Sequence, residues 1–109
     1  MSYEYRLVFP DSTSANRAME ALMASAACVG AQCDRVLLKD RQLNTLAEYD
    51  IRLTKEGQNS LWLEVNFRSV DLLLLLETTF AGLSVQCFED GDPQDEVTLE
   101  SALRINAGA

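Results

Sequence analysis

The sequence of 109 residues contains no histidine, and this absence excludes several classes of function. Without imidazole there is no Ser–His or Cys–His nucleophile pair and no general base that titrates near neutral pH. The usual zinc and non-haem iron sites, which rest on imidazole ligands, are excluded for the same reason. The five glycines are scattered along the chain and form no glycine-rich phosphate loop. We therefore predict a protein that is not an enzyme and that needs neither a cofactor nor a metal ion.

Basic residues are few. Nine Lys and Arg side chains stand against 17 Asp and Glu, which gives a net charge of −8. Nucleic acids and anionic membranes are polyanions whose binding depends on Lys and Arg, so neither is an expected partner. The longest unbroken apolar run, residues 72–76, is also far shorter than the about 20 residues that span a bilayer. The acidity favours a basic protein partner or serves solubility alone.

The three cysteines and the N-terminal residues indicate in which cellular compartment the protein resides. The three cysteines are an odd number, and Cys28 and Cys33 have the spacing C-x4-C rather than the C-x2-C of a zinc knuckle or redox pair. The first residues lack the basic and long apolar segments of a secretory signal. We expect a cytoplasmic protein in which Cys28, Cys33 and Cys87 are reduced and packed as small apolar groups.

Hydrophobic periodicity predicts a single domain, residues 1–109, built from strands and helices. Alternation of apolar and polar side chains predicts strands at residues 3–9, 34–40, 46–54, 60–68 and 83–88. Helical spacing predicts a first helix over residues 15–27, capped by Ser12, Thr13 or Ser14 and ended by Gly30. A second helix runs from a Ser69 cap to Gly82, and a short third helix starts at Asp92 and Pro93. Gly57 is available for a positive φ in the turn at 55–59.

The order β-α-β-β-β-α-β predicts an α+β fold. Both long helices then cover one face of a mostly antiparallel sheet in a two-layer sandwich. The plan is close to the ferredoxin-like βαββαβ arrangement with one additional or lengthened strand. The other face of such a sheet stays open. On the strands at 46–54 and 60–68, the alternation assigns to that open face Glu48, Asp50, Arg52, Thr54, Trp62, Glu64, Asn66 and Arg68.

Trp62 is the most informative residue on the predicted open face. A large aromatic side chain surrounded by charges is typical of a hot spot for protein binding. In the alternative, the C-terminal helix or the loop at 41–45 covers the ring. The carboxylates of Glu48, Asp50 and Glu64 share this face, and on an open sheet we interpret them as surface ion pairs rather than as an acid–base site.

The segment from Glu89 to Glu100 holds six carboxylates and no basic residue. A calcium loop that starts at Asp90 requires glycine at its sixth position and glutamate at its twelfth, where this chain has Asp95 and Ser101. The remaining interpretations are an acidic docking surface and a solvated charge run. For the docking surface, the residues predicted to contact a partner are Asp90, Asp92, Asp95 and Glu96.

The leucine-rich helix allows one more contact. Its leucines spread beyond a single apolar stripe, and a helix in a two-layer domain exposes one side. Leu72, Leu75 and Leu76 are therefore predicted contacts of a homodimer.

The acidic segment, Trp62 with its neighbouring carboxylates, and the lack of a catalytic set form a profile that resembles a known group. It is similar to the small immunity proteins of bacterial toxin–immunity pairs, such as contact-dependent growth inhibition systems. The resemblance implies a stoichiometric inhibitor that binds a basic toxin domain, often a nuclease. The alternative is a ferredoxin-like module that senses a small molecule or forms a homodimer.

Overall fold

The computed structural model describes residues 3–42 and 46–105. Within these residues the fold is α+β, with one antiparallel sheet of seven strands and three helices. In chain order the elements are β1 (Tyr3–Val8), α1 (Ser12–Met23), β2 (Cys28–Gln32), β3 (Arg35–Leu38), β4 (Ile51–Lys55), β5 (Ser60–Val65), α2 (Val70–Thr79), β6 (Gln86–Glu89), β7 (Glu96–Val97) and α3 (Leu99–Ala102).

The sheet has the strand order β2-β3-β4-β5-β1-β6-β7, and every neighbouring pair is antiparallel. β1 is an interior strand, because it pairs with β5 on one side and with β6 on the other. The predicted strand–turn–strand unit is confirmed as the β4–β5 hairpin, in which Leu53 opposes Leu63. The acidic β6–β7 hairpin and β2 lie at opposite edges.

The core lies on one face of the sheet because apolar residues alternate along the strands. Tyr5, Leu7, Leu53 and Leu63 are fully buried, while the residues between them on the same strands are partly exposed. Buried residues of α1 and α2 belong to this same core. The Phe9 and Phe80 rings meet edge to face with centroids 5.4 Å apart.

Each long helix begins at a side-chain cap. In α1 the cap is Asp11, whose carboxylate accepts the Ser14 N–H at 2.7 Å, so the predicted caps at Ser12 to Ser14 are wrong by one position or more. In α2 the predicted cap is confirmed, since the Ser69 hydroxyl oxygen accepts the Leu72 N–H at 3.0 Å. Such caps satisfy N–H groups that have no partner within the helix.

The predicted end of the first helix is wrong. α1 ends at Met23, and Gly30 lies within β2 instead of ending a helix. The chain turns where the Cys28 N–H donates to the Ser25 carbonyl, and β2 then pairs with β3 across the turn at Cys33 and Asp34. Ala24, Ala26 and Ala27 favour a helix, but the chain leaves the helix after Met23 and turns into β2, which begins at Cys28.

Several other boundaries differ from prediction, most of all the starts of β4 and of the third helix. β4 begins at Ile51 rather than at residue 46, and residues 43–45 of the preceding loop lie outside the described residues. The expected third helix does not start at Asp92, because the chain forms β7 first and α3 begins only after Thr98. The positive φ expected at Gly57 is also wrong, since the glycines with positive φ in the described part are Gly82 and Gly91.

Candidate functional site: the acidic hairpin and the open face of the sheet

The acidic hairpin is the β6–β7 unit with its connecting residues, Glu89–Glu96. Asp90 and Gly91 have φ values of 51° and 76°, and the Asp92 N–H donates to the Glu89 carbonyl at 2.9 Å. Positive φ at both central residues is the requirement of a type I′ turn, which Asp-Gly satisfies well. A second backbone bond, from the Glu89 N–H to the Asp95 carbonyl at 2.9 Å, closes the loop. Backbone geometry therefore shapes this hairpin.

The negative charge of the molecule is concentrated here. The twelve residues 89–100 carry six carboxylates, all exposed, and no base. Outside this segment, eleven acidic residues face nine basic ones, a net charge of only −2. Among the ion pairs of the described residues, none includes a carboxylate of this segment. The hairpin, which holds five of these six carboxylates, is thus a source of uncompensated negative potential.

Trp62 lies on the open face, where it opposes Arg6 of β1 and Thr54 of β4. Its ring is half-buried, and its indole Nε1–H donates to the Glu4 carboxylate at 2.7 Å. The Arg6 guanidinium sits 5.7 Å from the ring centroid, within the range of a cation–π contact. Residues 43–45 of the loop predicted as an alternative cover lie outside the described part of the chain. The partial cover of Trp62 comes from Arg6 and from Gly91 of the hairpin.

Arg6 joins the open face to the acidic hairpin. Its Nη1–H donates to the Gly91 carbonyl at 3.3 Å, and its Nε–H and Nη2–H donate to the two Glu56 carboxylate oxygens at 2.6 and 3.3 Å. The bonds to Glu56 raise the pKa of Arg6 above its usual value. A methyl group on Gly91 would lie 3.2 Å from the Trp62 ring. Trp62 and the acidic segment, which are far apart in sequence, therefore form one surface.

The other predicted open-face carboxylates divide into two groups. Glu64 lies on the face and forms an ion pair with Arg52, and this contact raises the pKa of Arg52. Glu48 is exposed but precedes β4, so it lies outside the strand to which it was assigned. Because Arg52 neutralises Glu64, this part of the face adds little net charge.

The assignment of Asp50 to the open face is wrong. Its side chain is 0% exposed, and its carboxylate accepts the Asp40 N–H at 2.8 Å and lies 3.7 Å from the Lys39 ammonium. Its backbone carbonyl also accepts the Asn66 N–H at 2.8 Å. Asp50 falls just before β4, where strand alternation no longer governs direction, and it serves as an interior hydrogen-bond acceptor. A partner at the surface cannot reach it.

Asp50 belongs to a buried polar cluster that sequence reasoning missed: Asp40, Asp50 and Ser69. The Ser69 hydroxyl donates to the Asp40 carboxylate at 2.7 Å, and the other carboxylate oxygen accepts the Gln42 N–H at 2.9 Å. One signal for Asp40 is its parity with Val36 and Leu38, which are both buried. A surface cavity of about 580 Å³ borders the cluster, lined by Asp40, Gln42, Arg68, Ser69, Val70, Asp71, Arg104 and Ile105.

The predicted homodimer contacts on α2 are mostly interior. Leu72 and Leu76 are 2% and 0% exposed, so the expectation that they face a second copy is wrong, and Leu75 is half-buried. The buried side of α2 is set by Leu72, Leu73 and Leu76, which pack into the core. The exposed apolar residues of this helix are Val70 and Leu74.

All three cysteines are free thiols in different environments. Burial raises the pKa of the Cys87 thiol to about 12, with nearby Glu96 and Glu89 adding to the shift, so the thiol stays protonated at neutral pH. Cys28 is half-buried. Cys33 is exposed at the β2–β3 turn, and the expectation that it packs as an apolar group is wrong.

Metal ligands and membrane-spanning helices also bear on the type of site. Over residues 3–42 and 46–105, no group of three or more His, Cys, Asp or Glu side chains is placed to hold a metal ion. In the same part of the chain, each helix is too short or too polar to cross a membrane. The comparisons with known proteins find no match to this chain, whether among family models, curated proteins or solved structures.

Proposed function

We propose that this chain is a binding protein without chemistry of its own, which docks its acidic hairpin and the adjoining Trp62 surface onto a basic protein domain. The observation that carries the proposal is the concentration of six exposed carboxylates, outside every ion pair described, in a segment next to Trp62. A charge run that served only solubility would need no such concentration. Here one edge of the sheet holds most of the net charge.

The partner that best fits this surface is a nuclease-like toxin domain. A nuclease must hold a polyanion and is therefore basic around its active site. An acidic inhibitor gains attraction at long range, which raises the association rate, and charge complementarity once the surfaces meet. The proposed role is that of a cytoplasmic immunity protein, which blocks the substrate surface of the toxin by stoichiometric binding.

Trp62 supplies the anchor in this proposal. Its ring is half-buried and is held by the Glu4 carboxylate and the Arg6 guanidinium, so little side-chain freedom remains to be lost on binding. Preorganised aromatic side chains at the centre of an interface dominate dissociation rates. Glu56 in turn holds the Arg6 guanidinium through two hydrogen bonds.

The strand order supports the ferredoxin-like part of the proposal. Four strands lie side by side in the sheet in the order β6-β1-β5-β4. Along the chain, α1 lies between β1 and β4, and α2 lies between β5 and β6. This order supports the βαββαβ plan, with the β2–β3 hairpin and β7 as edge additions. The plan leaves the face opposite the helices open, and the Trp62 surface lies there.

The test begins with affinity capture from the native host, with the wild-type chain as bait at low and high salt. The captured basic protein is then purified and its dissociation constant measured by calorimetry. We expect the constant to rise at least about tenfold for the variant Asp92→Asn/Asp95→Asn/Glu96→Gln, because its docking charges are gone. Trp62→Ala is expected to weaken binding by about thirtyfold, the loss typical of an anchor residue.

The matched control is Glu20→Gln/Asp34→Asn/Glu77→Gln, which removes the same number of exposed carboxylates outside the hairpin. If it weakens binding as much as the hairpin variant, net charge alone explains the attraction and the docking site is wrong. If the captured protein has nuclease activity, one equivalent of the wild-type chain must abolish it. Unimpaired activity at saturating inhibitor contradicts the inhibitory role.

A second candidate function, the sensing of a small molecule, is favoured by one observation. The cavity of about 580 Å³ beside the buried polar cluster has a volume typical of small-molecule sites, and both Arg and Asp side chains line it. A ligand-observed NMR screen with a small-molecule library tests this function. Hits lost in Arg68→Gln would support sensing, and the absence of hits would leave protein binding as the sole proposal.

A further inference from the structure

The two edge strands of the sheet differ in how they are protected. β7 has two residues, includes Glu96 and belongs to the acidic hairpin. β2 has five residues, CVGAQ, with no charge and no proline. Natural proteins protect sheet edges with short strands, charges, proline or bulges. β7 is protected by length and charge, whereas β2 has only a register irregularity between Cys28 and Gly30, after which residues 30–32 pair regularly.

The outer side of β2 is open. Within residues 3–42 and 46–105 it is the last strand of the sheet, and β3 is its one neighbour in the strand order. Within the described residues, the N–H groups of residues 29–33 donate no hydrogen bond outside the β2–β3 pairing. Val29, Ala31 and Gln32 are exposed along this edge. A row of backbone donors and acceptors in an extended strand is a template for another strand.

Charge indicates which strand this edge accepts. Residues 21–33 contain no charged side chain, and these thirteen residues are the longest uncharged stretch of the sequence. Two copies with a charge of −8 each repel one another over most of their surface. The β2 edge is the place where a second copy meets least repulsion, and a basic partner gains no attraction from it.

The strand order also favours a second copy as the partner of β2. The acidic hairpin lies at the sheet edge opposite β2, so pairing through β2 keeps the two hairpins at the far ends of the assembly. A two-fold axis through two identical edge strands also makes them antiparallel, as every existing pair in this sheet is. We infer that β2 pairs with the β2 strand of a second copy, which joins the two sheets into one.

The size of the contact sets its strength. A pairing of five residues on each side buries less than the roughly 1,200 Å² typical of stable interfaces. The dimer is therefore weak and depends on concentration. It leaves the acidic hairpin free, so it is independent of the proposed docking function. Salt distinguishes the two, because screening strengthens self-association and weakens docking on a basic domain.

The test is sedimentation velocity of the purified chain from about 10 µM to about 1 mM, at low and high salt. We expect the weight-average sedimentation coefficient to rise with concentration, and to rise further at high salt. Ala31→Lys must abolish the rise, because lysine side chains from the two copies would meet near the axis. Its control, Ala81→Lys, makes the same charge change at an exposed residue far from β2 in sequence and must behave as wild type.

Hydrogen exchange of the wild-type chain gives a readout that needs no variant. Amides of residues 29–32 should exchange at least about threefold more slowly at the highest concentration, while those of Glu96 and Val97 stay unchanged. A monomer throughout the concentration range overturns the inference. So does a dimer that Leu74→Lys abolishes and Ala31→Lys preserves, which would place the contact on α2.

Discussion

Carboxylates occur in two contrasting regions of this molecule. In the buried polar cluster, Asp40 and Asp50 are 8% and 0% exposed, and their carboxylates accept hydrogen bonds from backbone or hydroxyl groups. In the acidic hairpin, the carboxylates are exposed and outside the ion pairs described. A buried charge is tolerated only with partners, whereas an exposed charge is stabilised by water. The buried carboxylates thus stabilise the fold, whereas those of the hairpin are accessible to other molecules.

The two regions are also held in place differently. The cluster ties the β3–β4 connection to the start of α2 through the bond between Ser69 and Asp40. The hairpin is held by its backbone: the Asp90 N–H donates to the Glu4 carbonyl at 2.9 Å, and Gly91 packs against Trp62 and Arg6. Side-chain charge should therefore matter for stability in the first region and hardly at all in the second.

The largest expected effect is in the cluster. Asp50→Ala removes the acceptor of the Asp40 N–H and the counter-charge near Lys39, and leaves a cavity. We expect the free energy of unfolding to fall by about 3 kcal/mol, as when one partner of a buried charge pair is lost. Urea denaturation followed by circular dichroism measures this change.

The control for Asp50 is its neighbour Glu48, which is exposed. Glu48→Ala should change the free energy of unfolding by less than about 0.5 kcal/mol. Equal effects of the two substitutions would contradict the structural role assigned to the cluster.

A smaller effect is expected where the hairpin meets the open face. Gly91→Ala places a methyl group at a φ of 76°, 3.2 Å from the Trp62 ring and 3.3 Å from Arg6 Cζ. We expect a loss of about 1–2 kcal/mol, from the strained backbone and from displacement of these side chains. The unfolding midpoint in urea and the tryptophan fluorescence report the two parts separately.

Gly82→Ala provides the comparison for Gly91. Gly82 has a φ of 80°, but no atom lies within 4 Å of an added methyl group, so its cost is that of the backbone alone. The excess loss in Gly91→Ala measures the contact with Trp62 and Arg6. Equal losses would show that the contact of Gly91 with Trp62 and Arg6 adds nothing to the cost of the backbone.

The regular part of this fold follows from local patterns. The β4–β5 hairpin, the Ser69 cap and the core parity of β1 are all visible in sequence, since alternation and capping act within a few residues. The acidic turn was visible too: Asp90-Gly91 is a strong hairpin signal, but Asp92-Pro93 favours a helix start and leads to the wrong prediction.

The rest depends on contacts between distant residues. No local pattern shows that the Asp50 carboxylate is buried and accepts the Asp40 N–H, or that Gly91 packs against Trp62. β2 escaped prediction because its residues, CVGAQ, show no alternation of apolar and polar side chains, and pairing with the neighbouring β3 makes it a strand. For the candidate site, sequence therefore predicts the two components, Trp62 and the acidic segment, but not their contact.

The smallest effect is expected from the hairpin charges themselves. The variant Asp92→Asn/Asp95→Asn/Glu96→Gln removes repulsion among exposed carboxylates and no ion pair described for the chain, and asparagine can still accept the Gln94 N–H. We expect the free energy of unfolding to rise by less than about 0.5 kcal/mol at low salt and to be unchanged at high salt. A loss of more than about 1 kcal/mol, measured by urea denaturation, would mean that these carboxylates hold the hairpin in place. They would then belong with Asp40 and Asp50, and the contrast between the two regions would fail. Unchanged stability together with weakened partner binding would instead assign their charge to recognition.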